Sequence, residues 1–436
     1  MLKLLSLVML AHLGACASSS AATPPPLLLD HVTIIDGRGG PPLRDRAVLI
    51  RDGRIASIGA GGAGRVPQGT RRLDLTGRYL LPGLIDSHVH LKSQARDAGA
   101  VEQMLSLHYL RSGVTTVRDM GGNGAELAPL AAAAAAVDAR SPRILMSALF
   151  TGGTSPFWMT DGRAAFVSNG ATPGSQPWFR HLVPGADMEA LVRQARLWGA
   201  TGVKAHSGFT AAELATLGAA ARRNGLLLWT HAEVGPARPG DAVSAGAASI
   251  SHADMLAYEG MGEPPAGFDQ LSYSERTRLA MAATPVESEV LGRLFRLMRE
   301  KGTCLEPTLL VMSRPDPTPQ MVAYVDYAAA VTARANREGV MICAGTDVIR
   351  GSSASLLVEL DLLVHRVGLT PLQAITAATW NNARALGFRD LGLVEQGMLA
   401  DLLVLRSDPS ADISNLSSVD GVVLRGRYWS AAELAQ

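Results

Sequence analysis

The spacing of hydrophobic and polar positions changes along the chain and divides it into two kinds of segment. Between residues 27 and 81, short alternating runs such as 31–35 and 47–50 are separated by Asp-Gly and Gly-Gly pairs. Alternation broken by turn residues predicts β-strands. The same pattern returns near 401–405 and 421–424. Because so few short strands cannot bury a face alone, residues 27–81 and 390–430 are predicted to build one small composite β-sandwich.

Between these ends, apolar runs of strand length alternate with segments of helical length. Strand candidates lie at 80–85, 115–118, 144–149, 202–206, 226–230, 249–251, 304–309 and 340–344. Helices are predicted at 124–139, 187–198, 210–224, 286–301, 320–338 and 370–386. This alternation predicts an α/β protein with a (β/α)8 TIM-type barrel over residues 82–389. The long connections 151–184 and 255–284 are predicted to be lids or specificity loops.

Composition excludes several classes of protein. The 436 residues are 47% hydrophobic and 18% charged, with a formal net charge of +1. That apolar share supports a large buried core, which excludes disorder for most of the chain. The balanced charge gives no reason to expect nucleic acid as a partner. Lysine is rare, because the only lysines are Lys3, Lys92, Lys204 and Lys301.

Residues 1–26 are predicted to be a targeting segment and tether. Lys3 precedes the apolar run 4–13, which is too short to cross a bilayer as a helix and is typical of a secretory signal. The following residues 13–16 (LGAC) resemble a bacterial lipobox. We therefore expect export to the periplasm and a lipid anchor on Cys16 in the outer membrane. An ordinary signal peptide cut near Ala21 is the alternative.

Two further cysteines, Cys304 and Cys343, each lie in an apolar, strand-like run. Free cysteine is among the most buried residue types, so both are predicted to be buried thiols. A disulfide between them is the alternative.

Ionisable residues follow the ends of several predicted strands and are expected to share one site, because strand ends of a barrel meet at one face. They are His88, His90, Lys204, His231, His252 and Asp347. Imidazole and carboxylate groups are zinc ligands. A lysine amine that adds CO2 to become a carbamate can bridge two ions, and burial favours the neutral amine that this needs. The set predicts two divalent ions, with Zn²⁺ expected, and a carbamate on Lys204.

Each residue taken alone also has a structural interpretation. A lone histidine at a strand end is commonly a satisfied polar residue, Lys204 could extend along the core edge, and Asp347 could be a helix N-cap. His206, two residues after Lys204, is a candidate substrate contact or a structural imidazole. Arg118 could bind a substrate carboxylate, and an internal ion pair with Asp119 is the favoured interpretation.

Longer motifs resemble the amidohydrolase superfamily in its imidazolonepropionase and prolidase-like branch. They lie at 82–90 (PGLIDSHVH), 113–119 (GVTTVRD), 345–347 (GTD), 378–387 (ATWNNARALG) and 397–402 (GMLADL). The resemblance implies a hydrolase that cleaves an amide, peptide or ester bond with a metal-bridging hydroxide. It implies that His88 and His90 hold the more buried metal and that Lys204 bridges. It also implies that His231 and His252 hold the second metal, and that Asp347 is both ligand and proton shuttle.

Dipeptidases of this branch often carry Gly-Gly-His after the third strand, whereas residues 151–154 here are TGGT, so the histidine of those peptidases is absent. Two alternatives to the predicted hydrolase therefore remain open. A mononuclear deaminase or cyclic amidohydrolase on the same fold is one alternative, because Glu233 stands two residues after His231. A non-catalytic ligand-binding lipoprotein is the other. In each case a small molecule is the expected partner, and an oligomer is left open.

Overall fold

The structure is a computed structural model, and it describes residues 24–62, 64–91, 98–153, 171–263, 265, 267–268, 271–313, 316–347 and 356–436. The predicted signal segment, with Cys16, lies outside the described residues. Within the described part of the chain, no helix has the length and apolar character needed to cross a membrane.

The strands, in chain order, are β1 (Leu27–Ile34), β2 (Leu43–Arg51), β3 (Arg54–Ala60), β4 (Arg71–Asp74), β5 (Tyr79–Pro82), β6 (Leu84–Val89), β7 (Val114–Asp119), β8 (Arg143–Thr151), β9 (Ser175–Gln176), β10 (Phe179–His181), β11 (Gly202–Ala205), β12 (Leu227–His231), β13 (Ala247–Ser251), β14 (Cys304–Glu306), β15 (Leu402–Leu405), β16 (Val419–Leu424) and β17 (Arg427–Ser430).

The α-helices are α1 (Ala98–Met104), α2 (Gly124–Ala134), α3 (Met188–Trp198), α4 (Ala211–Arg223), α5 (Pro239–Ser244), α6 (Tyr273–Ala283), α7 (Glu289–Lys301), α8 (Leu309–Met312), α9 (Pro319–Arg337), α10 (Leu356–His365), α11 (Pro371–Thr376), α12 (Asn382–Ala385) and α13 (Ala431–Leu434). Short 3₁₀ helices lie at Leu110–Ser112, Ala253–Gly260 and Ile413–Ser417, and π-helical turns lie at Leu105–Tyr109 and Ala377–Asn381.

The two ends of the chain share one sheet, as predicted. Its strands run in the order β17-β16-β15-β5-β1-β2-β3, and β4 pairs with β1 beside this path. The connection between the ends is the antiparallel pair of β15 with β5, in which Leu403 lies opposite Leu81. Leu29, Val48 and Val404 meet in the core of this unit. Neither end could bury these side chains without the other.

Within the described residues, seven parallel strands form the barrel wall in the order β6-β7-β8-β11-β12-β13-β14. The predicted TIM-type fold is therefore confirmed. The predicted eighth strand, 340–344, is not a regular strand and makes one isolated parallel bridge, between Ile342 and Leu305. The segment still closes the barrel, because Ser87 N–H donates to Ala344 O at 3.1 Å and Asp347 N–H donates to His88 O at 2.8 Å.

Close packing explains why the eighth segment stays irregular. A Cβ atom on Gly345 would lie 2.7 Å from the Cβ of His88, so the backbone there approaches strand β6 more closely than any other residue type allows. Asn382 of α12 accepts a hydrogen bond from Ala344 N–H at 3.2 Å and donates to Ala344 O at 2.7 Å. A side chain thus replaces part of the ladder that a neighbouring strand would supply.

One predicted connection and one predicted helix differ from the structure. The predicted connection 255–284 contains α6, which begins with a capping box between Ser272 and Glu275. That Ser-x-x-Glu signal is visible in the sequence. The predicted helix 370–386 is divided into α11, a π-helical turn and α12.

Cys304 and Cys343 form a disulfide, so the prediction of two free thiols is wrong. Cys304 opens β14, and Cys343 N–H donates to Leu305 O at 2.8 Å in the neighbouring segment. This pairing brings the two Cα atoms to 6.0 Å, within the range that a disulfide spans. The alignment of the seventh and eighth barrel segments determines whether the two cysteines can form a disulfide. The sequence of either segment alone does not reveal this alignment.

Replacing both cysteines by serine should lower the free energy of unfolding by about 3–4 kcal/mol. The disulfide closes a loop of 39 residues and fastens the irregular eighth segment to β14. Urea unfolding of the Cys304→Ser/Cys343→Ser protein measures the change, and the reduced wild-type protein is the matched control. Equal urea midpoints for oxidised and reduced protein would contradict this expectation.

Candidate metal centre

The structure brings the six predicted site residues to one end of the barrel, and we call them the strand-end cluster: His88, His90, Lys204, His231, His252 and Asp347. Ring centroids of His88 lie 5.5 Å from those of His90 and 5.4 Å from those of His252. His231 continues the row at 4.5 Å from His252. Lys204 joins it through a hydroxyl, because its Nζ donates to Ser251 Oγ at 3.2 Å.

Side-chain atoms of His88, His90 and Asp347 converge at one point of the cluster. Asp347 Oδ1 lies 3.4 Å from His88 Nε2 and 3.2 Å from His90 Nε2. Among the described residues, His88 Nε2 and Asp347 Oδ1 are buried atoms with no hydrogen-bond partner. Ligand atoms of His88, His252 and Asp347 all lie within 4.8 Å of one another. Buried polar atoms without partners are costly, and a metal ion would satisfy them.

Contacts behind the imidazoles select which ring nitrogen faces the cluster. His90 Nδ1 lies 2.9 Å from Gly121 O, so it carries a proton and leaves Nε2 as the ligand atom. His252 Nδ1 lies 2.8 Å from Thr308 Oγ1. That hydroxyl donates to Pro307 O, so it accepts from His252. Both rings are therefore fixed in a tautomer that suits metal binding.

The backbone is strained where the cluster is assembled. His252, Thr308 and Asp347 have φ values of 75°, 52° and 48°, in the left-handed region that non-glycine residues rarely occupy. Such conformations persist when the surroundings enforce them, and they concentrate at functional sites. Asp86 holds the turn before Asp347, because it accepts hydrogen bonds from the backbone N–H and the hydroxyl of Thr346.

Burial sets the protonation states of the cluster. It lowers the pKa of His88 to about 4 and that of His252 to about 3, so both are neutral near pH 7, as metal ligands must be. Burial also lowers the pKa of Lys204 to about 7. For Asp347 burial acts in the opposite direction, but His88, His90 and His252 outweigh it and hold its pKa below the usual range.

Glu306 is a site residue that was not predicted, and the predicted ion pair of Arg118 with Asp119 is wrong. Arg118 does not pair with Asp119, which instead accepts hydrogen bonds from backbone N–H groups of Leu91 and Gly121. Adjacent strand residues point to opposite faces, so a pair between them is disfavoured. Arg118 pairs inside the barrel with Glu306, which is fully buried. Glu306 was detectable, because it is the one charged residue in the predicted strand 304–309.

His206 lies beside the cluster, and Glu233 follows β12 two residues after His231. The rings of His206 and His231 are 4.1 Å apart, and His206 Nδ1 lies 3.0 Å from Ser207 Oγ. Glu233 Oε1 lies 3.9 Å from Arg276 Nη1, so its carboxylate has a cationic neighbour. A substrate contact by His206 stays a prediction.

Comparison with known proteins gives a consistent result. A family model described as "Amidohydrolase family" matches residues 79–428. Imidazolonepropionase of Deinococcus deserti is 27% identical over 415 residues, which cover 85% of this chain and 88% of that protein. Imidazolonepropionase of Ralstonia nicotianae is also 27% identical, over 90% of this chain and 94% of that protein. A solved Xaa-Pro dipeptidase with bound methionine is similar in fold, with a TM-score of 0.73 and 23% identity, over 93% of this chain and all of that one.

Proposed function

The chain belongs to the amidohydrolase family, and we propose that it hydrolyses an amide, peptide or ester bond of a small molecule at the strand-end cluster. The observation that carries this proposal is the convergence of His88 Nε2 and His90 Nε2 on Asp347 Oδ1, at 3.4 and 3.2 Å. Two of these three atoms are buried without a hydrogen-bond partner among the described residues. Fixed imidazoles around a carboxylate suit a metal-dependent hydrolase.

We propose that these donors hold two divalent ions, and that both are Zn²⁺. His88, His90 and Asp347 would hold one ion, and His231 with His252 would hold the other. Lys204 would join them as a carbamate, which forms when its neutral amine adds CO2 and releases a proton. A pKa of about 7 leaves a large share of that amine neutral at physiological pH. When bound, such ions polarise a substrate carbonyl and lower the pKa of water.

Asp347 is the proposed proton carrier. Its carboxylate is ionised at neutral pH, because the neighbouring imidazoles lower its pKa. It can therefore accept a proton from the attacking water and then deliver it to the leaving nitrogen or oxygen. The hydrogen bond from its own N–H to His88 O, at 2.8 Å, fixes the carboxylate beside both imidazoles of the first strand.

His206 is the proposed substrate contact. It follows β11 directly, and its N–H donates to Phe150 O at 2.9 Å, so it continues the strand pairing that positions Lys204. Residues two apart on an extended segment share a face, so His206 belongs to the same side as Lys204. Burial lowers the pKa of His206 to about 3, which leaves a neutral ring able to donate or accept one hydrogen bond.

A second candidate function is the opening of a cyclic amide with a single metal ion. The names of two relatives that match 85% and 90% of this chain favour it, because both are imidazolonepropionases. Glu233 would then act beside His231 as the proton-transferring acid. Lys204 argues for the first candidate, because a buried amine beside the histidines can become the carbamate that bridges two ions.

Metal analysis combined with a substrate panel tests both candidates. We expect about two ions per chain, loss of hydrolysis on treatment with a chelator, and recovery with Zn²⁺. The panel should contain N-acyl amino acids, dipeptides, lactones, aryl esters and imidazolonepropionate. One ion per chain with turnover of imidazolonepropionate alone would establish the second candidate. Purified protein that binds no metal and hydrolyses nothing after metal loading would overturn both.

We also propose that the protein is exported and anchored by lipid on Cys16. The Cys304–Cys343 disulfide supports export, because disulfides persist in oxidising compartments and are rare in the cytosol. Fractionation of cells that produce the wild-type protein or Cys16→Ser tests this, since only the wild type should sediment with membranes.

A further inference from the structure

A fully buried ion pair adjoins the strand-end cluster. Arg118 on β7 donates through Nη2 to Glu306 Oε1 on β14, and neither residue is exposed to solvent. The guanidinium also lies 4.5 Å from the ring centroid of Trp229 and donates to Ser87 O and to Ser249 Oγ. Burying two charges costs solvation energy that their attraction does not reliably offset, so apolar side chains would fill this space at lower cost. Packing alone therefore does not account for the pair.

The second oxygen of Glu306 faces a predicted metal ligand. Glu306 Oε2 lies 3.4 Å from His88 Nδ1, and that nitrogen makes no hydrogen bond with the described residues. Nε2 of the same ring faces Asp347 Oδ1. When Nε2 gives its lone pair to a metal, Nδ1 carries the proton and needs an acceptor. Glu306 Oε2 is positioned to accept this proton from His88, just as Gly121 O accepts the Nδ1 proton of His90.

The same carboxylate also reaches Lys204 through one hydroxyl. Ser251 Oγ donates to Glu306 Oε2 at 3.0 Å, so its lone pairs are turned toward Lys204 Nζ, which donates to it at 3.2 Å. Glu306 thereby contacts His88 on the first strand and, through Ser251, Lys204 on the fourth. Each of these four side chains is buried.

We propose that Glu306 is a positioning residue that fixes the orientation of His88 and Lys204 for metal binding, and that Arg118 holds its carboxylate in place. This inference rests on the proposed function, because it requires that both residues are metal ligands. Glu306 is not one of the proposed metal ligands. Its role is to position two of them.

The test measures Zn²⁺ affinity of the folded protein by competition with a chromogenic chelator, a readout that needs no substrate. Glu306→Gln keeps the side-chain length and removes the charged acceptor, so affinity should fall about 10–100-fold. Ser251→Ala leaves the ion pair and the contact of Glu306 with His88 intact and disturbs only Lys204, so affinity should fall less than in Glu306→Gln. Thr303→Val removes a buried hydroxyl that donates to Ala247 O at 2.8 Å and belongs neither to the cluster nor to the ion pair, so it is the matched control and should bind as wild type does.

Circular dichroism and thermal unfolding of each variant separate lost positioning from lost folding. If Glu306→Gln does not fold because Arg118 is left unpaired, Arg118→Met/Glu306→Gln removes both charges and should show the same loss of affinity. A folded variant of either kind with wild-type affinity overturns the inference. Wild-type protein that binds no Zn²⁺ would instead overturn the proposed function, so the two failures are distinguishable.

Discussion

Replacing Asp347 with asparagine should lower kcat by about 10²–10⁴-fold, the usual contribution of a general acid–base group, while substrate still binds. Asparagine preserves the shape and one oxygen near His88 and His90 but cannot accept a proton near neutral pH. In the wild type, activity should decline at acid pH as the Asp347 site gains a proton. That decline reports a pKa of the coupled site rather than of one residue. In Asp347→Asn, the acid limb should shift or vanish.

The control for this variant is Asp30→Asn. Asp30 is also a buried carboxylate, but it lies on β1 of the composite sheet, outside the barrel, and pairs with Arg72. It should lose stability and keep kcat. Metal content must be measured on the same samples, because Asp347 is also a proposed ligand. An Asp347→Asn protein with full metal content and wild-type kcat would show that another group transfers the proton. Glu233 and His206 would then be the candidates to test.

Replacing Lys204 with alanine should remove about half of the bound metal and reduce activity about 100-fold or more. The proposed carbamate joins two ions, so its loss frees one of them, and a metal contributes several kcal/mol of transition-state stabilisation at about 1.4 kcal/mol per factor of ten. Folding should survive, because Lys204 makes one hydrogen bond to Ser251 and no ion pair in the described structure. Metal analysis and steady-state kinetics measure both effects.

Lys301→Ala is the matched control, because Lys301 is an exposed residue at the end of α7. Short carboxylic acids should restore part of the activity of Lys204→Ala by occupying the space of the carbamate, and should have no effect on Lys301→Ala. Full metal content and full activity in Lys204→Ala would exclude the bridging role and favour the single-metal candidate.

The strand-end cluster was predictable from the sequence because all the parallel strands of a barrel end at the same face. A residue at the carboxyl end of any parallel strand reaches the same face, so finding the strands was enough to place His88, Lys204 and Asp347 together. The composite sheet was predictable for a related reason. Hydrophobic and polar residues alternate at both ends of the chain, which predicts two groups of short strands. Each group has an apolar face that it cannot bury alone.

Contacts across the barrel interior were not predictable in this way. The Arg118–Glu306 pair, the Cys304–Cys343 disulfide and the irregular closure at Gly345 depend on how far each strand is shifted along its neighbours. A shift of one residue turns every side chain to the other face. Local patterns indicate which residues are apolar, but they do not indicate which residues lie opposite one another. The predicted partner of Arg118 was therefore its chain neighbour, Asp119.

The polypeptide is made from its amino end, yet β5 meets its partner β15 only when nearly the whole chain has left the ribosome. At 5–20 residues per second, that interval lasts on the order of tens of seconds. Throughout it, the strands that precede the barrel present an unpaired edge, which can pair with another nascent chain. The composite sheet therefore stays incomplete until β15 has been made, and a chain that ends before Leu402 keeps β5 as an unpaired sheet edge.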